Sequence, residues 1–478
     1  MKRIKISCVI GPASMKSNTL KRMIKAGMDG AGINLSHGDF DQYKKIVQNI
    51  KAISDIPISV DTQGPKIRIR VNENFFASKG QKIVAGFSKK NNSNYFDTDF
   101  YKDVKIGDRV LIHDGLLKAE VIKKEDKKIT LLFHNTGMLE DRKGVNLPDS
   151  TVDLPLLTAK DKKGIKFALE NNLDFINLSF TRNKENIEYI KRLTKNKIGI
   201  IAKIENHEGI NNLDEILEVV DGIMVARGDL GVEISPEKLP RVQKSLIQKC
   251  NKQGKIAIVA TELLESMTEK TRPTRAETSD IANAVLDGAD CLMLRGETAH
   301  GKHPVESISE LKKISFEVQP FIKPNVDPEK CSGISSCISH SIYDLARKLK
   351  IKKVVAVTRS GYTASMISRY RLDHEIIAIT DSEKIRRKLE LHYGIRPVVF
   401  KDMPEWDKIL ASAKFCYANG LIKKNELVIF TAGIFSTQEN ISNLIQVSKI
   451  ADAIKYYKAE RGSNLEKHFF VKGKKKKE

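Results

Sequence analysis

Short apolar runs that alternate with longer amphipathic segments constrain the fold of this chain more than any other feature. The alternation is typical of βα units and of a parallel sheet, because strands buried on both faces are apolar throughout. Eight candidate strands lie at residues 4–10, 31–35, 58–61, 175–179, 199–204, 222–226, 256–260 and 291–294. A helical pattern follows each of them except the third. The sequence therefore predicts an α/β fold built on a TIM (β/α)₈ barrel.

The alternation breaks after the third candidate strand. Between residues 69 and 154, segments such as 109–114 and 127–134 alternate apolar and polar residues one by one, which is typical of β-hairpins. We expect this insertion to be a β-barrel lid domain. A second βα series, with strands expected at 351–358, 375–380, 396–400 and 426–433, predicts a C-terminal α/β domain. The expected division is 1–69 and 155–326 for the barrel, 70–154 for the lid and 327–478 for the C-terminal domain.

The composition is that of an ordinary soluble protein. The chain has neither an uninterrupted apolar run of about 18 residues nor an N-terminal charged-then-apolar signal pattern. We therefore expect no membrane contact and a cytoplasmic location. The six cysteines show no CxxC spacing, so we expect them to be reduced and structural.

The formal net charge of +22 could indicate a polyanionic partner such as a nucleic acid. However, the lysines are scattered along helix faces that look exposed, and no aromatic-interleaved RNA-binding motif or Cys/His finger accompanies them. We expect no nucleic-acid partner and interpret the charge as a lysine-rich surface. A catalytically silent polyanion-binding protein remains an alternative. The basic tail at residues 472–478 is expected to be disordered.

Acidic residues, a lysine and glycines lie at the ends of apolar runs in 203–209 (KIENHEG), 224–234 (MVARGDLGVEI), 260–267 (ATELLESM) and 294–298 (LRGET). Glu205 and Asp229 offer the hard oxygen ligands that Mg²⁺ or Mn²⁺ prefers. Lys203 supplies a positive charge for phosphate, and Gly228 lets backbone amides approach an anion closely. Because the active sites of such barrels lie at the carboxyl ends of the strands, these segments predict a metal and phosphate site there.

These segments resemble the pyruvate kinase family. The same resemblance is carried by CVIGPAS (8–14), INLSHG (33–38), DTQGPKIR (61–68), GVNLP (144–148) and SGYTASMISRYR (360–371), so it runs through almost the whole chain. It implies a glycolytic phosphotransferase, a homotetramer, that converts phosphoenolpyruvate and ADP to pyruvate and ATP. The resemblance also implies a requirement for Mg²⁺ or Mn²⁺.

The resemblance assigns roles to individual residues. The positions with catalytic roles are Lys203, Thr261 and Arg295. The residues expected to bind substrate are Asn34, Ser36, Lys203, Gly228, Asp229 and Thr261, and the metal ligands are Glu205 and Asp229. The residues expected to bind nucleotide are His37, Arg68 and Lys143, with Asp114 in the lid closing over them.

A monovalent-cation site formed by the oxygens of Asn34, Ser36, Asp61 and Thr62 is also implied by the resemblance. Members of the family that read GPEIR need potassium, whereas this chain reads GPKIR at 64–68. Lys66 brings a positive charge of its own to this place. We therefore expect that potassium is not required.

Three positions depart from the family pattern. Gly32 stands in place of an arginine, Glu262 in place of an amide or neutral residue, and Arg295 in place of a serine. An arginine stays protonated and cannot relay a proton as a hydroxyl can. We hypothesise that the phosphate-binding guanidinium has moved from position 32 to position 295, where Glu262 could pair with it. A pyruvate-kinase-like paralogue that uses a different phosphoryl acceptor or donor is the alternative.

Overall fold

The eight predicted strands close into one parallel barrel, in the order β1-β17-β16-β15-β14-β13-β3-β2 when strands are numbered along the chain. The first three are β1 (Lys5–Val9), β2 (Gly30–Asn34) and β3 (Ile58–Asp61), and the others are β13 (Phe175–Leu178), β14 (Gly199–Ile204), β15 (Gly222–Ala226), β16 (Ile256–Ala260) and β17 (Cys291–Leu294). The computed structural model describes residues 3–89, 92–326, 333–404, 408–433 and 441–452. The expected basic tail at 472–478 lies outside these residues.

The lid contains the nine strands between β3 and β13. They are β4 (Ile67–Val71), β5 (Phe75–Ala77), β6 (Lys82–Ala85), β7 (Asn94–Phe96), β8 (Arg109–Ile112), β9 (Leu117–Glu125), β10 (Lys128–Phe133), β11 (Gly137–Leu139) and β12 (Gly144–Asn146). Seven of them form an antiparallel sheet in the order β6-β10-β9-β8-β12-β4-β7, and β5 pairs with β11. A bridge between Gly86 and Tyr95 links the two edges of the larger sheet. The lid has its own buried core, which includes Phe96, Phe100 and Phe133.

The C-terminal domain has a five-stranded sheet in the order β20-β19-β18-β21-β22. Its strands are β18 (Lys353–Val357), β19 (Glu375–Thr380), β20 (Ile395–Val399), β21 (Leu427–Ala432) and β22 (Leu444–Lys449). The first four are the predicted parallel strands. The fifth was not predicted, and it runs antiparallel to β21 at the sheet edge. With this sheet, the predicted fold class of barrel, lid and C-terminal α/β domain is confirmed.

The helices lie around the barrel and beside the C-terminal sheet. They are α1 (Ser17–Ala26), α2 (Phe40–Ile53), α3 (Ala159–Glu170), α4 (Lys184–Thr194), α5 (His207–Asn211), α6 (Leu213–Val219), α7 (Arg227–Glu233), α8 (Leu239–Gln253), α9 (Arg275–Leu286), α10 (Gly296–Ala299), α11 (Pro304–Val318), α12 (Ile334–Lys348), α13 (Tyr362–Ser368), α14 (Glu383–Leu389) and α15 (Lys408–Ala418). Short 3₁₀ turns occur at Pro236–Lys238, Glu265–Thr268 and Gln319–Phe321. Capping boxes at Thr158 and Thr274 fix the starts of α3 and α9, because each threonine and an acid three residues later satisfy two backbone amides.

The barrel strands are buried along their length, apart from partly buried Asn34 at the end of β2. Side chains that point outward pack against the helices, whereas Val9, Ile201, Met224 and Met293 fill the interior. This continuous burial explains why the apolar runs located the strands well. It leaves the strand ends as the places where polar side chains can reach a cleft.

The C-terminal domain packs against the amino-terminal face of the barrel. Leu391 is 4% exposed and belongs to the interior core of the barrel, together with Val9 and Met293. Beside it, the basic end of α14 pairs with acids that precede barrel strands: Arg387 with Asp174 at 2.7 Å and Lys388 with Asp221 at 2.8 Å. The opposite face, with the carboxyl ends of the strands, is the one that faces the lid.

We predict that Leu391→Ala lowers the free energy of unfolding by about 2 to 5 kcal/mol, because it removes buried methyl groups from the bottom of the barrel. Urea denaturation of the variant and the parent measures this. The matched control is Leu349→Ala, where the leucine is 49% exposed. Equal unfolding midpoints for the two variants would contradict the assignment of Leu391 to the barrel core.

Candidate active site

A buried ion pair lies where β14 ends. Lys203 Nζ is 2.6 Å from Glu205 Oε1, and the two side chains are 5% and 0% exposed. The two residues are two positions apart on an extended segment, so their side chains point to the same side. Lys203 also donates a hydrogen bond to Ser179 Oγ at 2.8 Å, and the amide of Phe180 donates to Glu205 Oε2 at 2.8 Å. The pair is thus fixed by the end of the neighbouring strand, β13.

The carboxylate of Glu205 has the properties of a metal ligand. Burial raises its pKa, Lys203 opposes that rise, and the negative charge of Asp229 adds to it. Oε1 is the oxygen that faces the Lys203 ammonium, and Oε2 is the one that accepts from Phe180. Within the described residues, no group of three or more His, Cys, Asp or Glu side chains could hold a metal. Two carboxylates completed by water and substrate phosphate fit Mg²⁺ or Mn²⁺.

A strained turn after β16 supports the amino end of α7. Thr261 and Glu262 have φ angles of 72° and 53°, in the left-handed region that such residues rarely adopt. Thr261 Oγ1 accepts a hydrogen bond from the amide of Gly228 at 2.8 Å. The structure thus brings together Gly228 and Thr261, which were predicted to bind substrate. Asp229, the next residue, lies in the first turn of α7.

Lys66 lies between the lid and Asp229, one of the two predicted metal ligands. Its Nζ lies 3.4 Å from Asp114 Oδ1 in the lid and 3.4 Å from Asp229 Oδ1. Burial alone would lower the pKa of Lys66, but the two carboxylates outweigh it and raise the pKa. Asp161 fixes the loop before Lys66, since its carboxylate accepts hydrogen bonds from the amides of Gln63 and Gly64.

The residues of the predicted monovalent-cation site lie at the ends of adjacent strands. Asn34 pairs with Asp61 across β2 and β3, and Asn34 Oδ1 accepts a hydrogen bond from the amide of Ser36 at 2.9 Å. Thr62 Oγ1 accepts one from the amide of Ser179 at 2.9 Å. Asp61 Oδ2 is buried and has no hydrogen-bond partner within the described residues.

The predicted nucleotide-binding residues are divided between the barrel and the lid. His37 lines a cavity of about 480 Å³ beside β1 and β2. Arg68 lies on the lid strand β4 and pairs with Gly144 of β12, the residue after Lys143, and neither Arg68 nor Lys143 lines this cavity. Arg68 donates to the carbonyl of Arg142, and Lys143 pairs with Glu140 at 2.9 Å.

Comparison with known proteins agrees with this arrangement. The family model for the barrel domain of pyruvate kinase matches residues 1–308, and the model for its alpha/beta domain matches residues 336–448. The chain is 40% identical over 477 residues to pyruvate kinase from Sporosarcina psychrophila, covering 95% of this chain and 81% of the relative. It is 39% identical over 477 residues to pyruvate kinase from Staphylococcus haemolyticus, with the same coverage.

The chain belongs to the pyruvate kinase family. It is therefore a phosphotransferase, as predicted. Within the part of the chain that the structure describes, no helix is both long and apolar enough to cross a membrane.

Two of the departures from the pyruvate kinase pattern lie in one layer of the barrel. Val9 pairs with Gly32, and Cys8, one residue before Val9, pairs with Leu294. Arg295 therefore lies level with Gly32, across the intervening strand β1. A Cβ atom on Gly32 would come within 2.7 Å of Met293 Cε. The interior at this level is thus filled by Met293.

The expected pairing of Glu262 with Arg295 is wrong. No ion pair joins them within the described residues, and the turn that carries Glu262 is held by Arg227 instead. The Arg227 guanidinium donates to the carbonyl of Thr261 at 2.6 Å and to that of Glu262 at 3.1 Å. Arg227 also pairs with Asp280 at 2.6 Å.

Arg227 and Ser179 were not predicted from the sequence as functional residues. Arg227 lies inside the motif MVARGDLG and directly precedes Gly228 and Asp229, which were both predicted to be functional. Its position in that motif could have indicated a functional role. Nothing in the sequence, however, shows that its hydrogen-bond partners are backbone carbonyls. Ser179 ends a predicted strand, and serine at such a position is usually a turn or cap residue.

We predict that Arg227→Lys lowers kcat for phosphoryl transfer about tenfold or more, because a small displacement of Thr261 and of the amides after Gly228 misaligns the substrate. A lysine keeps the charge but cannot reach two carbonyls and Asp280 together. Steady-state kinetics measures the change, with Arg192→Lys, at an exposed helix end, as the matched control. An unchanged kcat in a folded Arg227→Lys variant would show that the turn is not needed for catalysis.

Proposed function

We propose that this chain is a pyruvate kinase that transfers the phosphoryl group of phosphoenolpyruvate to ADP, giving pyruvate and ATP. The observation that carries the proposal is the buried Lys203–Glu205 pair, with Asp229 close enough to affect the pKa of Glu205. Phosphoryl transfer needs aligned groups and neutralised charge more than covalent help from the protein. A fixed lysine and two carboxylates meet that need.

Lys203 holds the transferring phosphoryl group, since its ammonium is fixed by Ser179 and Glu205. Glu205 and Asp229 are the residues that hold Mg²⁺ or Mn²⁺. When bound, the metal supplies positive charge that neutralises the phosphoryl and enol oxygens. The amides of Gly228 and Asp229, together with Thr261, bind the carboxylate of the substrate.

In the reaction, the bond between phosphorus and the enol oxygen breaks while a bond to the terminal phosphate oxygen of ADP forms. The enolate that leaves takes a proton on carbon and becomes pyruvate. We assign the transfer of that proton, through water, to the Thr261 hydroxyl, because Arg295 cannot relay one. Thr261 Oγ1 is already held by the amide of Gly228.

The remaining predicted residues complete the proposal. His37 binds the nucleotide from the barrel, and Arg68 and Lys143 bind it from the lid, with Asp114 closing over the cleft. Asn34 and Ser36 help to bind substrate. Lys66 takes the electrostatic role of the monovalent cation for which the oxygens of Asn34, Ser36, Asp61 and Thr62 were predicted. We also propose the domain division given above, a cytoplasmic location and a homotetramer.

A second candidate function is transfer to or from a different acceptor or donor by the same site. The observation that favours it is Arg295, whose guanidinium makes no hydrogen bond or ion pair with any described residue and so can bind a ligand. Formation of pyruvate from phosphoenolpyruvate in an assay coupled to lactate dehydrogenase, repeated over several nucleoside diphosphates, separates the two functions. A silent polyanion-binding protein would give no pyruvate with any of them.

We predict that Asp229→Asn lowers kcat at least about a hundredfold, the scale found when one electrostatic stabiliser is removed. The loss arises because the amide is a poorer ligand for Mg²⁺ than the carboxylate. Coupled kinetics with Mg²⁺ and after EDTA treatment measures it. The matched control is Asp214→Asn, whose carboxylate is 74% exposed and pairs with Lys249 on the surface. Wild-type activity of Asp229→Asn would refute the metal assignment.

We predict that activity does not depend on potassium and that Lys66→Glu makes it dependent. The Lys66 ammonium, 3.4 Å from both Asp114 and Asp229, supplies the charge that a bound ion would otherwise supply. Kinetics of both proteins in a tetramethylammonium buffer, with and without potassium, tests this. A rise of about tenfold for the wild type on adding potassium, which is roughly 1.4 kcal/mol of barrier, would contradict the prediction.

A further inference from the structure

The cavity of about 480 Å³ lies between the ends of β1 and β2, helix α2 and the segment after β17. This volume is in the range that binds small molecules. Its walls include apolar Ile10, Ile33 and Ile46, and its polar side chains include Asn34, His37 and Arg295. The cavity is therefore lined by a residue predicted to bind substrate, by one predicted to bind nucleotide and by one of the three that depart from the family pattern.

The backbone of Arg295 is fixed. Its amide donates to Glu297 Oε2 at 2.8 Å, and its carbonyl accepts from the amide of Ala299 at 2.9 Å. Its guanidinium, by contrast, makes no hydrogen bond or ion pair with any residue that the structure describes. A guanidinium group that has no ion-pair partner and is carried by a fixed backbone is suited to bind a ligand.

The charged side chains that line the cavity favour an anion. Of the residues that line it, none is an aspartate or a glutamate, and Arg295 is the only lysine or arginine. The expected competitor, Glu262, does not pair with Arg295. The guanidinium geometry matches the oxygens of phosphate in two parallel hydrogen bonds, whereas a lysine would offer only a point charge.

We infer that Arg295 binds a phosphate group of a substrate in this cavity and so determines affinity for it. The inference rests on the proposed function and extends it, because it gives the site a phosphate contact other than Lys203. Position 32, level with Arg295 on the other side of β1, has no side chain with which to make that contact. The phosphate belongs either to ADP or to phosphoenolpyruvate, and the two sources can be separated by binding.

Isothermal titration calorimetry of the full chain in Mg²⁺ buffer tests the inference without turnover, with one ligand at a time. The ligands are ADP, phosphoenolpyruvate, and the phosphate-free adenosine and pyruvate. We expect Arg295→Ser to weaken binding of at least one phosphate ligand about tenfold to a hundredfold, the range for a hydrogen bond to a charged group. Adenosine and pyruvate should bind as they do to the wild type.

Two further variants serve as controls. Arg295→Lys keeps the charge but loses the fork, so it should fall between the wild type and Arg295→Ser. Arg192→Ser removes an exposed arginine from α4 and should change no affinity. A cooperative thermal unfolding transition establishes that each variant is folded. If Arg295→Ser is not folded, the affinities of Arg295→Lys are compared with those of the wild type instead.

A loss for ADP alone assigns the phosphate to the nucleotide, and a loss for phosphoenolpyruvate alone assigns it to the phosphoryl donor. Wild-type affinity of the Arg295 variants for both ligands would overturn the inference. So would an equal loss for adenosine, or the same loss in Arg192→Ser. Failure of the proposed function is a different result, because it is the absence of pyruvate formation by the wild type, whatever these affinities are.

Discussion

The ion pair between Lys203 and Glu205 is the interaction on which the active site depends. Both side chains are buried, and removing one partner of such a pair leaves an uncompensated buried charge. The pair persists because the end of β13 completes its hydrogen bonds, through Ser179 and the amide of Phe180. The other oxygen of Glu205, Oε1, lies 2.6 Å from the Lys203 ammonium. Each buried charge is thus balanced by the other, and the end of β13 holds both in place.

The barrel makes this arrangement possible by separating its two ends. The C-terminal domain covers the amino ends of the strands. Its Leu391 side chain lies in the interior core of the barrel, and basic residues of α14 form ion pairs with acids that directly precede two of the strands. The carboxyl ends carry Lys203, Glu205, Thr261 and Arg295. The lid reaches them through Lys66 and Asp114. The C-terminal domain thus packs at one end of the barrel, and the predicted active-site residues lie at the other.

The sequence was sufficient for the parts of the fold that burial determines. The barrel strands agree with the apolar runs to within a residue or two, since every strand is buried on both faces. The edge strand β22 was missed because it is only partly buried and its pattern, LIQVSK, is not a continuous apolar run. In the site, Lys203, Glu205 and Asp229 could be predicted from their residue types and from their positions at the carboxyl ends of predicted strands. That prediction required no knowledge of which side chains contact one another.

Contacts between distant segments could not be predicted in this way. The hydrogen bonds from Arg227 to the carbonyls of residues 261 and 262 depend on backbone angles that no residue pattern specifies. The same turn explains why the expected pairing of Glu262 was wrong.

The turnover of Lys203→Met, measured with saturating Mg²⁺, phosphoenolpyruvate and ADP, tests the central claim most directly. Methionine has a similar length and no charge, so the variant removes the ammonium and keeps most of the packing. We expect kcat to fall at least about a hundredfold, because the variant lacks a preorganised charge at the transferring phosphoryl group. A kcat within about threefold of the wild type, a barrier change of less than about 1 kcal/mol, would contradict it.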